Sequence, residues 1–264
     1  MSSNFSLLSD THVNLWKYPH EKISDLFPGD DSTLILAGDI GDPDEGSLYD
    51  ALNMARTRYQ KILYIPGNHE FYVREPGSKK TPASVLSWFQ KLDDQWSNFH
   101  FFYRRSELID GIRIIGATGW TCAPDITNSW SNMMSEEGKK DIKFFEQSIA
   151  ISKEPTLVIS HYPSTLHVLQ DHYKDKLTQF NYAQDLERLY RSPVKVWAFG
   201  HVHQKHDFTV PYSSLHGDGE VRLLCNPHGY PKDGITASIP KPFGITRFVK
   251  NEAKSLYGMS YRTL

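Results

Sequence analysis

The sequence predicts an α/β fold, on the strength of two observations. Short apolar runs rich in β-branched residues recur along the chain, each bounded by turn residues. Their length of about 4 to 8 residues and their continuity are typical of buried strands. Longer helix-like stretches lie between them, and this alternation of strands and helices is typical of α/β proteins.

The predicted elements follow from these runs, taken in chain order. The predicted strands are Phe5–Leu8, Thr33–Ala37, Ile62–Ile65, Ile112–Ile115, Thr156–Ile159, Val194–Phe199 and Val221–Leu224. The predicted helices are Ser47–Tyr59, Ala83–Trp96, Ser135–Ile151 and Tyr182–Tyr190. Three irregular stretches, Phe71–Thr81, Thr121–Asn132 and His228–Pro242, are predicted to be long surface loops, which often carry function. No repeat or linker interrupts the chain, so a single domain over residues 1–264 is predicted.

The composition argues against several classes of protein. The chain has 264 residues and a net charge of −2, which gives no overall field for holding nucleic acid or an anionic membrane. Cys122 and Cys225 are far apart and lack CxxC spacing, so neither a disulfide framework nor a cysteine zinc site is predicted. No run of about 18 apolar residues occurs, and the amino terminus lacks a signal-peptide pattern. We therefore expect a cytoplasmic protein with no membrane partner.

Polar side chains typical of metal ligands come directly after five of the predicted strands. These segments are Ser9–His12, Gly38–Asp42, Pro66–Glu70, Ser160–His161 and Gly200–His203. Open α/β sheets place ligand sites at the carboxyl ends of their strands. One or two such segments can arise by chance, whereas five in order predict a shared site. Glycines 38, 67 and 200 lie beside the candidate ligands and are expected to permit sharp turns and close backbone approach.

The spacing of these residues predicts that pairs of them bind one ion together. Asp10 and His12 are two residues apart, so in an extended segment their side chains project to the same side. His201 and His203 share that spacing.

Three further side chains complete the candidate ligand set: Asp39, Asn68 and His161. The carboxylate of Asp39 can bridge two cations, while the others offer an amide oxygen and an imidazole. Mixed nitrogen and oxygen ligands without thiolate favour manganese, iron or zinc over calcium. Two such ions about 3.5–4 Å apart can clamp a phosphate for in-line displacement and lower the pKa of a bound water.

The blocks DTH, GDIGD, GNHE, SH and GHVH occur in this order between residues 10 and 203. As an ordered set they resemble the five signature blocks of the calcineurin-like metallophosphoesterase superfamily. The resemblance implies an αββα sandwich, in which two mixed β-sheets are flanked by helices. It also implies hydrolysis of phosphate mono- or diesters by a hydroxide bound to two divalent transition-metal ions. We expect Mn²⁺, with Fe, Zn and Ni ions as alternatives.

The resemblance also implies a role for each matching residue. One ion would be held by Asp10, His12, Asp39 and His203. The second would be held by Asp39, Asn68, His161 and His201. His69 would be the general acid or a phosphate-contacting imidazole near the leaving group, and Asp42 would orient it.

Other segments refine the resemblance. Asn226–Tyr230 is similar to the NPRGY segment of small bacterial phosphohydrolases, with His228 in place of the arginine. Pro43-Asp44 and Pro66 stand where protein Ser/Thr phosphatases have arginines, and residues 40–44 lack the tyrosine ligand that purple acid phosphatases have shortly after the corresponding aspartate. Both of those classes are therefore disfavoured.

Two alternative functions stay open at this level: a nuclease that uses the same metals, and a non-catalytic scaffold with the same fold. The expected partner is a small phosphate ester, since the net charge does not support nucleic acid. The aromatic and basic residues of Phe71–Arg74 and Trp96–Arg105 either form a lid or substrate platform or, as we favour, belong to core strands and a helix face with flanking charges. Trp120, Trp130 and Met133-Met134 are predicted to lie in a loop. Their side chains either line the substrate pocket or only anchor that loop. Neither the substrate nor the oligomeric state follows from the sequence.

Overall fold

A computed structural model of the protein describes residues 2–17, 19–30, 32–74, 77–122, 128–174, 177–214, 217–230 and 240–246. Its strands are β1 (Ser2–Leu8), β2 (Thr33–Ala37), β3 (Lys61–Ile65), β4 (Phe99–Phe101), β5 (Arg105–Ile109), β6 (Ile112–Gly116), β7 (Thr156–Ile159), β8 (Val194–Phe199), β9 (His206–Ser214), β10 (Gly217–Cys225) and β11 (Lys241–Thr246). Its α-helices are α1 (Pro19–Leu26), α2 (Gly46–Arg58), α3 (Pro82–Gln95), α4 (Ser129–Ile151) and α5 (Asp171–Lys174).

The strands form two mixed sheets. The first has the order β11-β1-β2-β3-β4, in which β1 to β4 run parallel and β11 runs antiparallel at the edge. The second has the order β5-β6-β7-β8-β10-β9, in which the four central strands run parallel and both edge strands run antiparallel.

The apolar residues form three layers, because successive side chains of a strand point to opposite faces. Ile35 of β2 lies in the layer between the two sheets. Its neighbour Leu34 packs on the outer face with Phe89 of α3. On the second sheet, Val158 of β7 packs outward with Phe145 of α4. Helices therefore cover the outer faces of both sheets, and the predicted αββα sandwich is confirmed.

Strands β5, β9 and β11 were not predicted, and β4 was anticipated only as part of the core strands favoured for Trp96–Arg105. All four lie at the edges of their sheets, where a strand does not need a continuous apolar run. β9 alternates half-buried with exposed residues along its length. β11 contains Pro242, a residue that sheets tolerate at an edge.

The predicted helix Tyr182–Tyr190 is wrong. The segment contains only the short 3₁₀ turn Glu187–Leu189. The backbone N–H groups of Gln184 and Leu186 donate instead to the carbonyls of Pro163 and Ser164, at 3.0 and 2.9 Å. Tertiary hydrogen bonds thus replace the helical ones. Helix α1 was not predicted either.

Helix α4 begins at Ser129, earlier than the predicted start at Ser135. Asn128 and Ser131 form a capping box, in which each side chain bonds the backbone N–H of the other residue. Trp130, Met133 and Met134 therefore lie in the helix, not in the predicted loop.

Parts of the predicted loops lie outside the described residues, namely 75–76, 123–127 and 231–239, as does 247–264 of the predicted single domain. Within the described part of the chain, none of the helices combines the length and the apolar character needed to cross a bilayer.

Candidate metal centre

The carboxyl ends of five strands, β1, β2 and β3 of one sheet and β7 and β8 of the other, meet at one end of the sandwich. Hydrogen bonds join the sheets there. The backbone N–H of His201 donates to both carboxylate oxygens of Asp10 at 3.0 Å, and Nδ1 of His161 lies 2.9 Å from the carbonyl of Ala37. All seven predicted ligands lie at this end: Asp10, His12, Asp39, Asn68, His161, His201 and His203.

Five of these seven residues have a left-handed backbone. They are Asp10 (φ 54°), His12 (φ 46°), Asp39 (φ 57°), His201 (φ 70°) and His203 (φ 44°). Such angles are unfavourable for residues with a side chain and tend to concentrate at functional sites. The expected extended segment at Asp10 and His12 is therefore wrong, because the backbone turns sharply after each strand. These turns, rather than strand alternation, direct the side chains toward one another.

Two glycines leave the space that the ligands occupy. Gly38 has φ +85°, and a Cβ there would lie 2.5 Å from Nδ1 of His161. A Cβ on Gly67 would overlap the carboxylate of Asp39. Both positions exclude any larger residue, as the sequence predicted for glycines beside the ligands.

One group of acceptor atoms surrounds Nε2 of His161. This nitrogen lies 2.9 Å from Oδ1 of Asn68, 3.2 Å from Nδ1 of His201 and 3.4 Å from Oδ2 of Asp39. The amide nitrogen of Asn68 donates to the hydroxyl of Tyr72 at 2.6 Å, so its oxygen faces the group.

In both His161 and His201, the ring nitrogen that points away from this group of atoms already has a hydrogen-bond partner. Nδ1 of His161 can donate to the carbonyl of Ala37 at 2.9 Å, and Nε2 of His201 to that of Asn181 at 3.1 Å. Neutral rings held in this way turn their lone pairs toward Asp39. Lone pairs that face one another need either a metal ion or a proton between them.

The pKa values of these histidines reflect the same field. Burial lowers the pKa of His161, but the charge and hydrogen bond of Asp39 outweigh it and raise the pKa to about 9. A proton on His161 therefore satisfies the acceptors in the metal-free protein. Burial, followed by the nearby His161, lowers the pKa of His201 to about 4.

A second group consists of Asp10, His12 and His203, whose ligand atoms lie within 4.8 Å of one another. The Nε2 atoms of the two imidazoles are 3.1 Å apart, and Nε2 of His203 is 3.5 Å from Oδ1 of Asp10. Burial lowers the pKa of His12 to about 3, so this ring is neutral and can coordinate a metal. The carboxylate of Asp39 lies close to the ligand atom of His12 and also to those of His161 and His201, so Asp39 stands between the two groups. The residues present fit divalent metal ions.

Glu70 organises the turns around Asp39, and sequence reasoning did not single it out. Its buried carboxylate accepts from the backbone N–H groups of Asp39, Ile40 and Gly67, at 3.1, 2.9 and 2.9 Å. The hydroxyl of Tyr64 donates to it at 2.7 Å. Its place in the GNHE block was the signal in the sequence that could have identified Glu70 as a site residue.

His69 lies beside the ligands, in contact with Arg74 rather than with Asp42. Nη2 of Arg74 is 3.0 Å from Nδ1 of His69, and the backbone N–H of His69 donates to Oδ1 of Asp39 at 2.8 Å. Asp42 instead pairs with the buried Lys80 and, at 3.3 Å, with Nε of Arg74. The predicted orientation of His69 by Asp42 is therefore not direct, because Arg74 stands between them. Arg74 and Lys80 were not predicted as site residues.

The Asn226–Tyr230 segment brings Tyr230 to the centre. The N–H groups of His228 and Gly229 donate to the carbonyls of Ser9 and Asp10 at 2.9 Å. The ring of Tyr230 then stacks on His12, with centroids 4.4 Å apart, and its hydroxyl lies 3.0 Å from Nε2 of His69. His228 itself packs against Trp16, with ring centroids 5.2 Å apart.

Comparison with known proteins agrees with this geometry. The sequence profile of the calcineurin-like phosphoesterases matches residues 4–205, and the chain belongs to that family. It is 23% identical over 257 residues to the uncharacterized protein L509 of Acanthamoeba polyphaga mimivirus, over 82% of this chain and 87% of the viral protein. It resembles the crystal structure of phosphopantetheinyl hydrolase from Mycobacterium tuberculosis with a TM-score of 0.62 and 16% identity, over 92% of this chain and 96% of that one. The protein is a metal-dependent phosphoester hydrolase.

Proposed function

We propose that the protein hydrolyses small phosphate mono- or diesters at a centre of two divalent ions, with Mn²⁺ as the expected metal. The observation that carries this proposal is the position of Asp39 between two groups of converging acceptor atoms. Nitrogen and oxygen donors in such sets suit first-row transition metals.

The two ligand sets follow from these groups. Asp10, His12, Asp39 and His203 would hold one ion, and Asp39, Asn68, His161 and His201 the other. When bound, the ions would neutralise the phosphate charge and activate the water that attacks phosphorus.

His69 supplies a hydrogen-bond donor beside the ions. Because Arg74 donates to Nδ1, the proton of the neutral ring sits on Nε2. That nitrogen lies 3.0 Å from the hydroxyl of Tyr230 and 3.9 Å from Oδ2 of Asp39, so a phosphate bound beside Asp39 would take the place of Tyr230 as its hydrogen-bond partner. A ring held in this way donates to a phosphate oxygen or to the departing oxygen without first taking up a second proton. Of the two roles predicted for His69, the geometry supports the phosphate-contacting imidazole.

The alternatives have less support. A nuclease would need a basic groove, and among the described residues that line the cavity at the centre there is no lysine or arginine. A non-catalytic scaffold would not need converging ligands, whereas here every predicted ligand position keeps a donor atom at the centre.

A substrate panel tests the proposal. Metal-reconstituted protein is assayed with p-nitrophenyl phosphate, bis-p-nitrophenyl phosphate, cyclic nucleotides and oligonucleotides, beside the Asp39→Asn variant. We expect metal-dependent hydrolysis of at least one small ester, with strong loss in the variant. Cleavage of oligonucleotides alone would favour the nuclease, and no metal-dependent hydrolysis would overturn the proposal.

A further inference from the structure

The candidate metal centre opens into a cavity of about 730 Å³ that extends well beyond the ligands. One part of its wall is made by Asp39, His201 and His203. Another part includes residues that take no part in the centre, among them Leu169, Tyr173, Tyr182 and Val202. A bound phosphate needs only the first part, so the second is free to hold whatever the phosphate is attached to.

Two tyrosines continue the line of rings that begins at the metal ligand His201. The ring centroid of Tyr182 lies 6.0 Å from that of His201, and the ring centroid of Tyr173 lies 4.5 Å from that of Tyr182. The carbonyl of Asn181, directly before Tyr182, accepts from Nε2 of His201 at 3.1 Å. This hydrogen bond fixes the position of the tyrosine relative to the centre.

The chemistry of this wall favours an uncharged group. Beyond the metal ligands and His69, the described lining residues are aliphatic, aromatic or amide side chains. Among these described lining residues, a second phosphate or carboxylate would find no cationic partner to offset its lost hydration. A flat apolar group would instead bury its faces against rings and aliphatic side chains.

We propose that Tyr173, Tyr182 and Leu169 form a subsite for a flat, uncharged aromatic group attached to the phosphate of the substrate. The subsite rests on the proposed function, because the metal centre is what positions the phosphate. It narrows the substrate class to phosphate esters of aromatic or nucleoside-like groups and disfavours polyphosphates.

Binding of two non-hydrolysable probes tests the subsite. Isothermal titration calorimetry of metal-reconstituted protein compares phenylphosphonate with methylphosphonate, which share the anionic group and differ in the ring. We expect the phenyl compound to bind roughly tenfold more tightly. Tyr182→Leu should remove most of that preference, whereas Tyr182→Phe, which keeps the ring, should retain it. Equal affinity for both probes, no binding of phenylphosphonate, or tighter binding of pyrophosphate than of phenylphosphonate would overturn the subsite.

Hydrolysis separates this inference from the function on which it rests. Phenyl p-nitrophenyl phosphate and methyl p-nitrophenyl phosphate release the same leaving group and differ in the retained ester. A preference for phenylphosphonate in a protein that hydrolyses neither these diesters nor p-nitrophenyl phosphate would keep the subsite and overturn the catalytic function. Hydrolysis without any preference for the phenyl probes would keep the catalytic function and overturn the subsite.

Discussion

Nη2 of Arg74 lies 3.0 Å from Nδ1 of His69, so the guanidinium donates to the imidazole on the side that faces away from the metal ligands. An arginine in this position cannot accept a proton from the ring, unlike a carboxylate. It therefore fixes the neutral tautomer of His69 that carries its proton on Nε2. Burial and the positive charge of Arg74 both lower the pKa of His69, although the negative charge of Asp39 acts in the opposite direction.

Removal of either partner should lower activity without removing metal. His69→Ala is expected to reduce kcat by about 10²–10³-fold, as for the loss of a hydrogen-bond donor to the developing charge, and Arg74→Met by about 10-fold, because Arg74 only positions the ring. Because the ring contacts the phosphate and does not protonate the leaving group, the damage in His69→Ala should be similar for good and poor leaving groups. Arg222→Met, which breaks an exposed ion pair with Asp207, is the matched control. Metal loss in His69→Ala would identify it as a ligand and contradict the assigned role.

The pair between Lys80 and Asp42 should be important for stability. The two side chains are 1% and 4% exposed, and loss of Lys80 would leave the buried Asp42 carboxylate with the more exposed Arg74 as its remaining cationic partner. Lys80→Met is therefore expected to reduce the free energy of unfolding by about 3 kcal/mol in denaturant titrations. Lys61→Met, which breaks the more exposed pair with Asp110, should cost at most about 1 kcal/mol. Similar losses in both variants would mean that burial of the pair does not matter.

Metal content should depend on Asp39 more than on any other ligand. Wild-type protein saturated with Mn²⁺ is expected to hold two ions per chain by elemental analysis. Asp39→Asn should weaken both sites, since Asp39 belongs to both groups of acceptors. His203→Ala should weaken only one. A wild-type content of at most one ion would contradict the two-ion centre.

Gly67→Ala should disturb the centre through space alone. The added methyl group overlaps the Asp39 carboxylate, so we expect destabilisation of about 1–3 kcal/mol together with weaker metal binding. Gly46→Ala is the matched control, because a Cβ there meets nothing within 4 Å. Thermal unfolding of both variants, with and without metal, measures the difference. Unchanged metal affinity in Gly67→Ala would show that Asp39 can move freely.

Metal binding should release a proton from His161. Its pKa of about 9 in the folded metal-free protein is above the ordinary value of about 6.5. The bound proton therefore stabilises the metal-free fold fully below pH ~6.5, and this stabilisation is lost as the pH rises through about 9. Because a ligand must be neutral, apparent metal affinity should increase up to about pH 9 and then level off.

Calorimetric titration with Mn²⁺ in buffers of different ionisation enthalpy counts the released protons. About one proton is expected from His161 near pH 7 and none well above pH 9. Equal proton release at both pH values would contradict the assignment.

Much of the site could be predicted from the sequence because its ligands directly follow buried strands. The runs that end before Asp10, Asp39, Asn68, His161 and His201 are apolar on both faces, so they can be found by composition alone. Parallel strands then necessarily bring their carboxyl ends to the same end of a sheet. The edge strands, which bury only one face, lacked that signal.

Only the tertiary structure decided how these residues act together. Arg74, Tyr182 and Tyr230 reach the centre from outside the five ligand segments, and their positions depend on contacts between distant parts of the chain. The left-handed turn at Asp39 likewise depends on Glu70, whose carboxylate accepts from three backbone N–H groups around it. Local sequence determined which side chains can bind metal, because strand ends and residue types are local properties. Long-range packing determined what surrounds them, because those contacts join residues far apart in the chain.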